Sequence, residues 1–284
     1  MSAPPFAYAR AASLDDALAR LAEPGAVPLA GGQGLLPRLH RRELAPSTLV
    51  DVGRLEELAC LQWTGDGALR CGGAVTLRRM EGDPLLRERL PGLVAALGTV
   101  GTAAIRNRAT LGGSLAQGDP GAVPAAMLAV AGAQAEIASA RGTRSARAAA
   151  VAGSLQPGEL LVAIEVPAPP EDSADAWAET ATRPGDRAEL GAAVRVAPGA
   201  GAACAVAGLS RRPVLAAAGS LSGTPGSDSE HSGTLARVLR EGAESMAAAL
   251  AATVTGRDED SDPDLRGVLA ALLRRALLDA GAPA

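Results

Sequence analysis

What this chain lacks narrows its chemistry before any motif is read. It has no lysine; all 27 basic residues are arginine. Phenylalanine and tyrosine occur once each, as Phe6 and Tyr8, and asparagine once, as Asn107. These residue types, with isoleucine, use A/T-rich codons, so their scarcity points to a G/C-rich coding sequence rather than to a functional demand. Without lysine there is no Walker A loop, which needs Gly-Lys-Ser/Thr to reach a nucleotide's terminal phosphates. Cys60, Cys71 and Cys204 are widely spaced and form no Cys-x-x-Cys pair, which excludes iron–sulfur ligand spacing and offers no disulfide framework. His40 and His231 are the only histidines, too few to suggest a metal site within the chain. A net charge of −4 with scattered arginines argues against a nucleic-acid binder. No apolar run reaches membrane-spanning length. The start, Met1 to Phe6, has no basic segment leading into an apolar one, so no secretory leader is expected and the cytoplasm is the expected compartment.

What is present suffices for a sizeable core. The 284 residues are 48% hydrophobic, almost all alanine, leucine and valine, which allows one large domain or two modest ones. Ser13-Leu14-Asp15-Asp16 reads as a capping box, and Leu14, Ala17, Leu18 and Leu21 recur at helical spacing behind it. Strands are expected at 27–30 and 48–52, a hairpin at 61–71 across Thr64-Gly65-Asp66-Gly67, and a helical stretch at 84–97 interrupted at Pro91. A buried helix is expected at 120–131 and strands at 135–139 and 160–166. Pro167-Ala168-Pro169-Pro170 is the best boundary. Beyond it three strands are expected near 177–182, 191–196 and 203–209, a Ser/Gly-rich loop at 220–233, and helices at 234–251 and 263–280. The acidic run 258–262 reads as a solvated linker. This mixed order is α+β rather than a βαβ series.

Two glycine-rich segments stand out. The first is Leu29-Ala30-Gly31-Gly32-Gln33-Gly34-Leu35; the second runs from Ile105-Arg106-Asn107-Arg108 through Thr110-Leu111-Gly112-Gly113-Ser114 to Gln117-Gly118-Asp119-Pro120. Each sets paired glycines after a short apolar run, where bare backbone can approach a ligand and aim N–H groups at it. Neither fits the dinucleotide fingerprint in spacing or context. Ile105 and Asn107 are kept against the codon bias, inside the second segment. Two such segments suggest a clamp around a diphosphate-bearing cofactor.

In this order the segments resemble the flavin-binding medium subunit of molybdenum hydroxylases, the group that includes carbon monoxide and xanthine dehydrogenases. The likeness begins at Phe6-Ala7-Tyr8, passes through Leu49-Val50-Asp51-Val52 and is strongest from Ile105 to Pro120. It implies a two-subdomain FAD-binding fold of the vanillyl-alcohol oxidase type over 1–170, divided at about 55/56. A C-terminal α+β domain over 171–284 follows, with a three-stranded antiparallel sheet and helices. It implies that Ala30, Gly31, Gly32, Gln33 and Gly34, with Leu35 next to them, form one wall of the FAD diphosphate site. Thr110, Leu111, Gly112, Gly113 and Ser114 form the other, with Arg106, Asn107 and Asp119 in the same segment. Asp186 and Arg187 fall where the family flanks the isoalloxazine.

The resemblance further implies an electron-transfer subunit. FAD would take electrons from [2Fe-2S] clusters in one partner, fed by a molybdenum cofactor in another, and deliver them to NAD, oxygen or a quinone; no side chain need act as acid or base. The chain departs from the family at Gly34, where a hydroxyl residue is usual, and at Gln117-Gly118, where His-Ala is common. It departs again at Val123, in place of an acidic residue, and at Arg187, in place of an aromatic. Those departures keep a second reading open: a flavin-type fold with weakened or lost FAD binding, serving as a scaffold or as a non-redox isomerase or cyclase.

Overall fold

The structure is a computed structural model that describes residues 4–119, 123–183, 188–197, 201–208, 213–218 and 263–281. In chain order the elements are β1 (Ala7–Arg10), α1 (Leu14–Leu21), β2 (Ala26–Leu29), α2 (Leu35–His40), β3 (Thr48–Asp51), β4 (Leu61–Trp63), β5 (Leu69–Gly72) and α3 (Leu77–Gly82). Then come α4 (Pro84–Arg89), α5 (Pro91–Gly98), α6 (Ala103–Arg106), α7 (Leu111–Gln117), α8 (Val123–Val130), β6 (Gln134–Ser139), β7 (Gly142–Arg147), α9 (Ala148–Val151) and β8 (Leu160–Val166). The last are β9 (Ala174–Thr180), β10 (Leu190–Ala197), β11 (Gly201–Ala207), β12 (Val214–Ala218) and α10 (Pro263–Gly281).

They cluster into two compact units that are not contiguous in sequence. The first unit takes residues 1–83, 100–119 and 132–168; the second takes 84–99, 120–131 and 169–284. Two stretches that precede residue 170 thus pack with the C-terminal part.

The first unit holds a parallel sheet in the order β1-β3-β2 and an antiparallel sheet in the order β4-β5-β8-β6-β7. Helix α1 joins their cores. The Ser13 hydroxyl accepts the Asp16 N–H at 3.1 Å, and the Asp16 carboxylate accepts the Ala12 N–H at 2.9 Å, so the helix start is locked from both sides. Its inward Ala17 and Leu21 pack with Val50 and Val52 from the parallel strand and its end, and with Ala138, Leu160 and Val162 from the antiparallel sheet. Cys71, on β5, is fully buried, and desolvation together with the neighbouring Cys60 pushes its thiol well above the ordinary cysteine range. Cys204 is buried as well, while Cys60 is half-buried. With a thiol reagent at mildly alkaline pH, Cys60 should therefore react first, and Cys71 and Cys204 only once denaturant is added. Mass mapping of the labelled peptides checks this, and fast labelling of Cys71 in native protein would contradict it.

The second unit is built on an antiparallel sheet in the order β12-β11-β10-β9. Ala192, Val194, Cys204 and Val206 face α10, where Leu269, Leu273, Ala276 and Leu277 meet them. Side chains alternate across a strand, and Ala193 and Ala205 on the opposite face are also fully buried. Helices α5 and α8 pack on these strands and cover that face. Pro91 divides the helical stretch as expected: Leu90 is non-helical (φ −135°), and Pro91 restarts the chain at the first position of α5.

Two expectations need correction. The C-terminal sheet has four described strands, not three; Val214–Ala218 has no polar alternation to mark it and is fixed only by pairing with β11. Strand β7, which no sequence pattern marks, is an exposed edge of its sheet. The paired glycines of the second segment lie inside the first turns of α7 rather than in a loop, because Thr110 caps that helix. Helix 234–251, the 220–233 loop, the acidic run 258–262 and the pair Asp186 and Arg187 lie outside the described residues.

Candidate cofactor-binding site

The first glycine segment leaves the C-terminal end of β2, the end of a parallel strand where open sheets commonly bind ligands. Gly32 has φ +74°, a left-handed backbone that glycine adopts at no steric cost. The turn it makes leads into α2, whose first bond is the Leu36 N–H to the Gly32 carbonyl at 2.9 Å. Among the described residues, no protein acceptor takes the N–H groups of Gly31, Gly32, Gln33, Gly34 or Leu35. The Gln33 carboxamide folds back onto the Gly31 carbonyl at 3.3 Å, which stiffens the turn from behind. Ala30 and the five residues after it are half-buried. Asp51, at the end of β3, braces the neighbouring bend: it accepts the Gly53 N–H at 3.0 Å and the Tyr8 hydroxyl at 2.6 Å.

The second segment lies directly against the first. A Cβ at Gly31 would stand 1.9 Å from the Arg108 carbonyl oxygen and 3.1 Å from Ala109 Cα. The same segment is laced to the antiparallel sheet. The Leu77 N–H donates to the Ala109 carbonyl, the Leu111 N–H to Val75, the Gly112 N–H to Gly73, and Gly73 in turn donates to Val162 of β8. Gly112 rests on Gly73, where a Cβ would come within 2.6 Å of the carbonyl oxygen.

This lacing changes how the two walls differ. The N–H groups of Leu111 and Gly112 are spent on the sheet, that of Gly113 on Thr110 Oγ1 at 3.1 Å, and that of Ser114 on the Thr110 carbonyl. The first wall therefore offers backbone donors, while the second offers side chains and an open surface. Thr110 is buried, and its oxygen is the helix cap. Gly113 is exposed, and the half-buried Ser114 hydroxyl bonds to no described residue.

The remaining candidates separate by role. Arg106 is no surface cation: its guanidinium meets Glu81 at 3.0 Å and donates to the carbonyls of Val100 and Gly101 at 3.2 and 2.8 Å. Arg108, whose carbonyl abuts Gly31, is exposed and makes no side-chain bond to a described residue. Asn107 ends α6, its backbone N–H bonded to Ala103 at 2.9 Å and its side chain exposed. Asp119 follows the left-handed Gly118, half-buried and engaged with the protein. Val123, noted as a departure, opens α8 and is buried. Gln117, named in the sequence only as a departure, reaches across to Gly34, and Glu81 was not singled out at all. No cluster of metal-ligating side chains occurs among the described residues, and no described helix is long and apolar enough to cross a membrane.

An α+β unit with glycine-backbone donors at a parallel strand end, facing a capped helix and carrying no lysine, presents main-chain N–H groups suited to a diphosphate-bearing cofactor. The chain belongs to the family described as the FAD binding domain in molybdopterin dehydrogenase, matched over residues 4–169. Among its relatives, the nicotine 6-hydroxylase medium subunit of Paenarthrobacter nicotinovorans is 31% identical over 99% of both chains. The xanthine dehydrogenase FAD-binding subunit of Escherichia coli O157:H7 is 36% identical, with 58% of this chain aligned and only 59% of the relative spanned. The structure of reconstituted CO dehydrogenase from Oligotropha carboxidovorans superposes over 100% of both chains at 28% identity, with a TM-score of 0.82.

The residues present fit an FAD diphosphate. The Gly31–Leu35 amides are donors without protein acceptors among the described residues, Gly113 is exposed, and Ser114 and Arg108 make no side-chain bond to a described residue.

Proposed function

We propose that this chain is the FAD-carrying electron-transfer subunit of a molybdenum hydroxylase complex, with a molybdenum-cofactor large subunit and a [2Fe-2S] small subunit as partners, working in the cytoplasm. Bound FAD would supply the two-electron and one-electron chemistry that links the clusters to a final acceptor: NAD, oxygen or a quinone. The protein's part is to bind, orient and shield. The amides of Gly31 to Leu35 neutralise a diphosphate by dipole and hydrogen bond in place of lysine. Leu111 and Leu115, on the buried face of α7, hold that helix against the protein. The partners are inferred from the medium chains this one is similar to, such as that of CO dehydrogenase; in keeping with clusters held elsewhere, the three cysteines form no Cys-x-x-Cys pair, and Cys71 and Cys204 are buried. The observation that carries the reading is the row of unbonded N–H groups in the first glycine segment, set against the second.

One observation favours the alternative, a flavin-type fold with weakened binding: the α7 N-terminal amides already bond to the protein. The purified full chain decides between the two. It should be yellow, or turn so on addition of FAD with the spectrum of a protein-bound flavin, and should bleach on anaerobic reduction. A colourless chain that ignores FAD, with or without co-purified subunits, would defeat the electron-transfer reading and leave the scaffold one.

A further inference from the structure

Gly34 does not need glycine for its own backbone. Its φ of −90° and ψ of −36° lie in the right-handed helical region open to every L-residue. A Cβ placed there would nevertheless stand 1.3 Å from Gln117 Oε1, 2.3 Å from its Cδ and 2.9 Å from its Nε2. The three nearest atoms all belong to one carboxamide, which fills the volume a side chain at 34 would take. Gln117 is the last residue of α7 and is exposed, so water is open to it. Instead it lies across the foreign backbone of the first segment, and no hydrogen bond to a described residue offsets the rotamer freedom it loses there. Ser114 is three residues earlier on α7 and so shares this face. The neighbouring amides of Gly31 to Leu35 are the unbonded donors already described.

We propose that the Gln117 carboxamide is a diphosphate ligand of the FAD site. Reaching over from the second segment, it donates the side-chain hydrogen bond that a bare residue at 34 cannot. The proposal rests on the flavin reading above. A half-turn of the amide exchanges its oxygen and nitrogen, which have nearly equal shape, so the NH2 end can face a phosphate oxygen without moving the stem.

The test is FAD titration of the flavin-stripped full chain, followed by flavin fluorescence, alongside thermal melts without FAD. Gln117→Ala should weaken FAD roughly tenfold, the size of one hydrogen bond to a charged acceptor, and leave the melt of the flavin-free chain unchanged. Gln117→Glu, of the same shape but negative, should weaken FAD by about a further tenfold through repulsion. Gly34→Ser should push the exposed carboxamide aside and put its own hydroxyl there, so its FAD affinity should stay within a few fold of wild type. Gly34→Ser combined with Gln117→Ala should recover most of the affinity, since the hydroxyl then occupies the vacated place, giving a clear departure from additivity. If Gln117→Ala and Gln117→Glu both bind FAD as tightly as wild type, the carboxamide is a space-filler and the proposal fails while the flavin reading stands. If wild type itself takes up no FAD, the flavin reading fails and this proposal with it.

Discussion

Replacing Gly31 with alanine should give a chain that melts early and retains no flavin. The methyl group would stand 1.9 Å from the Arg108 carbonyl oxygen, 2.7 Å from its carbon and 3.1 Å from Ala109 Cα. All three are backbone atoms, so no rotamer change relieves the clash. Ala109 cannot retreat, because its carbonyl holds the Leu77 N–H and Leu111, two residues on, is tied to Val75. The first segment must therefore lift away from the second. Overpacking of this kind costs roughly 3 kcal/mol, on the order of 10 °C in melting temperature for a unit of this size. Affinity falls for a separate reason, since the Gly31 to Leu35 amides lose their common aim once the segment lifts. Gly65→Ala is the control: nothing lies within 4 Å of a Cβ there, and its melt should stay within about 0.5 kcal/mol of wild type. Calorimetry and retained absorbance of the desalted protein measure both effects. A Gly31→Ala chain that melts like wild type would mean that the two segments are not pressed together as described.

Where physics is local, the sequence announced the structure. Helix α1 was readable because its cap, its apolar stripe and its stop all lie within a dozen residues. The 61–72 hairpin was readable because a Thr-Gly-Asp-Gly turn joins two short apolar runs. The glycine segments themselves were legible from spacing and composition. Illegible were features set by residues distant in the chain. Strand β1 is four largely exposed residues, defined only by its parallel register with β3. The helical nature of 111–117 was masked by its two glycines, which favour loops on average; the Thr110 cap and the bonds to residues 73 and 75 outweigh that preference. The grouping of 84–99 and 120–131 with the C-terminal strands could not be read from a chain scanned in order, because their apolar faces say only that they are buried, not against what. The same holds in the site. Gly34 and Gln117 each read singly as a departure, and only the structure shows that they touch.

Arg106 offers the sharpest separation between a cofactor residue and a structural one. Sequence position alone made it a candidate cation for the diphosphate. Its guanidinium is 13% exposed and the Glu81 carboxylate 11%, with 3.0 Å between them. Its other donors close the Val100 and Gly101 carbonyls, where the chain turns before α6. Arg78 reaches the same carboxylate only at 3.6 Å and is 57% exposed, so it compensates little. Arg106→Met should thus destabilise the flavin-free protein by about 3–5 kcal/mol, the usual result of removing one partner of a mostly buried pair. Arg106→Lys keeps the charge but loses the planar fork that serves Glu81 and two carbonyls together, so it should recover only part of the loss. Adding Glu81→Met to Arg106→Met removes the carboxylate that Arg106 served and should recover part of the loss. Urea denaturation without FAD measures all three. FAD affinity of the folded fraction should change far less than stability, because the guanidinium is spent on protein atoms. If Arg106→Met instead unfolds at the wild-type midpoint and loses FAD a hundredfold, the side chain serves the phosphate and its pairing with Glu81 is incidental.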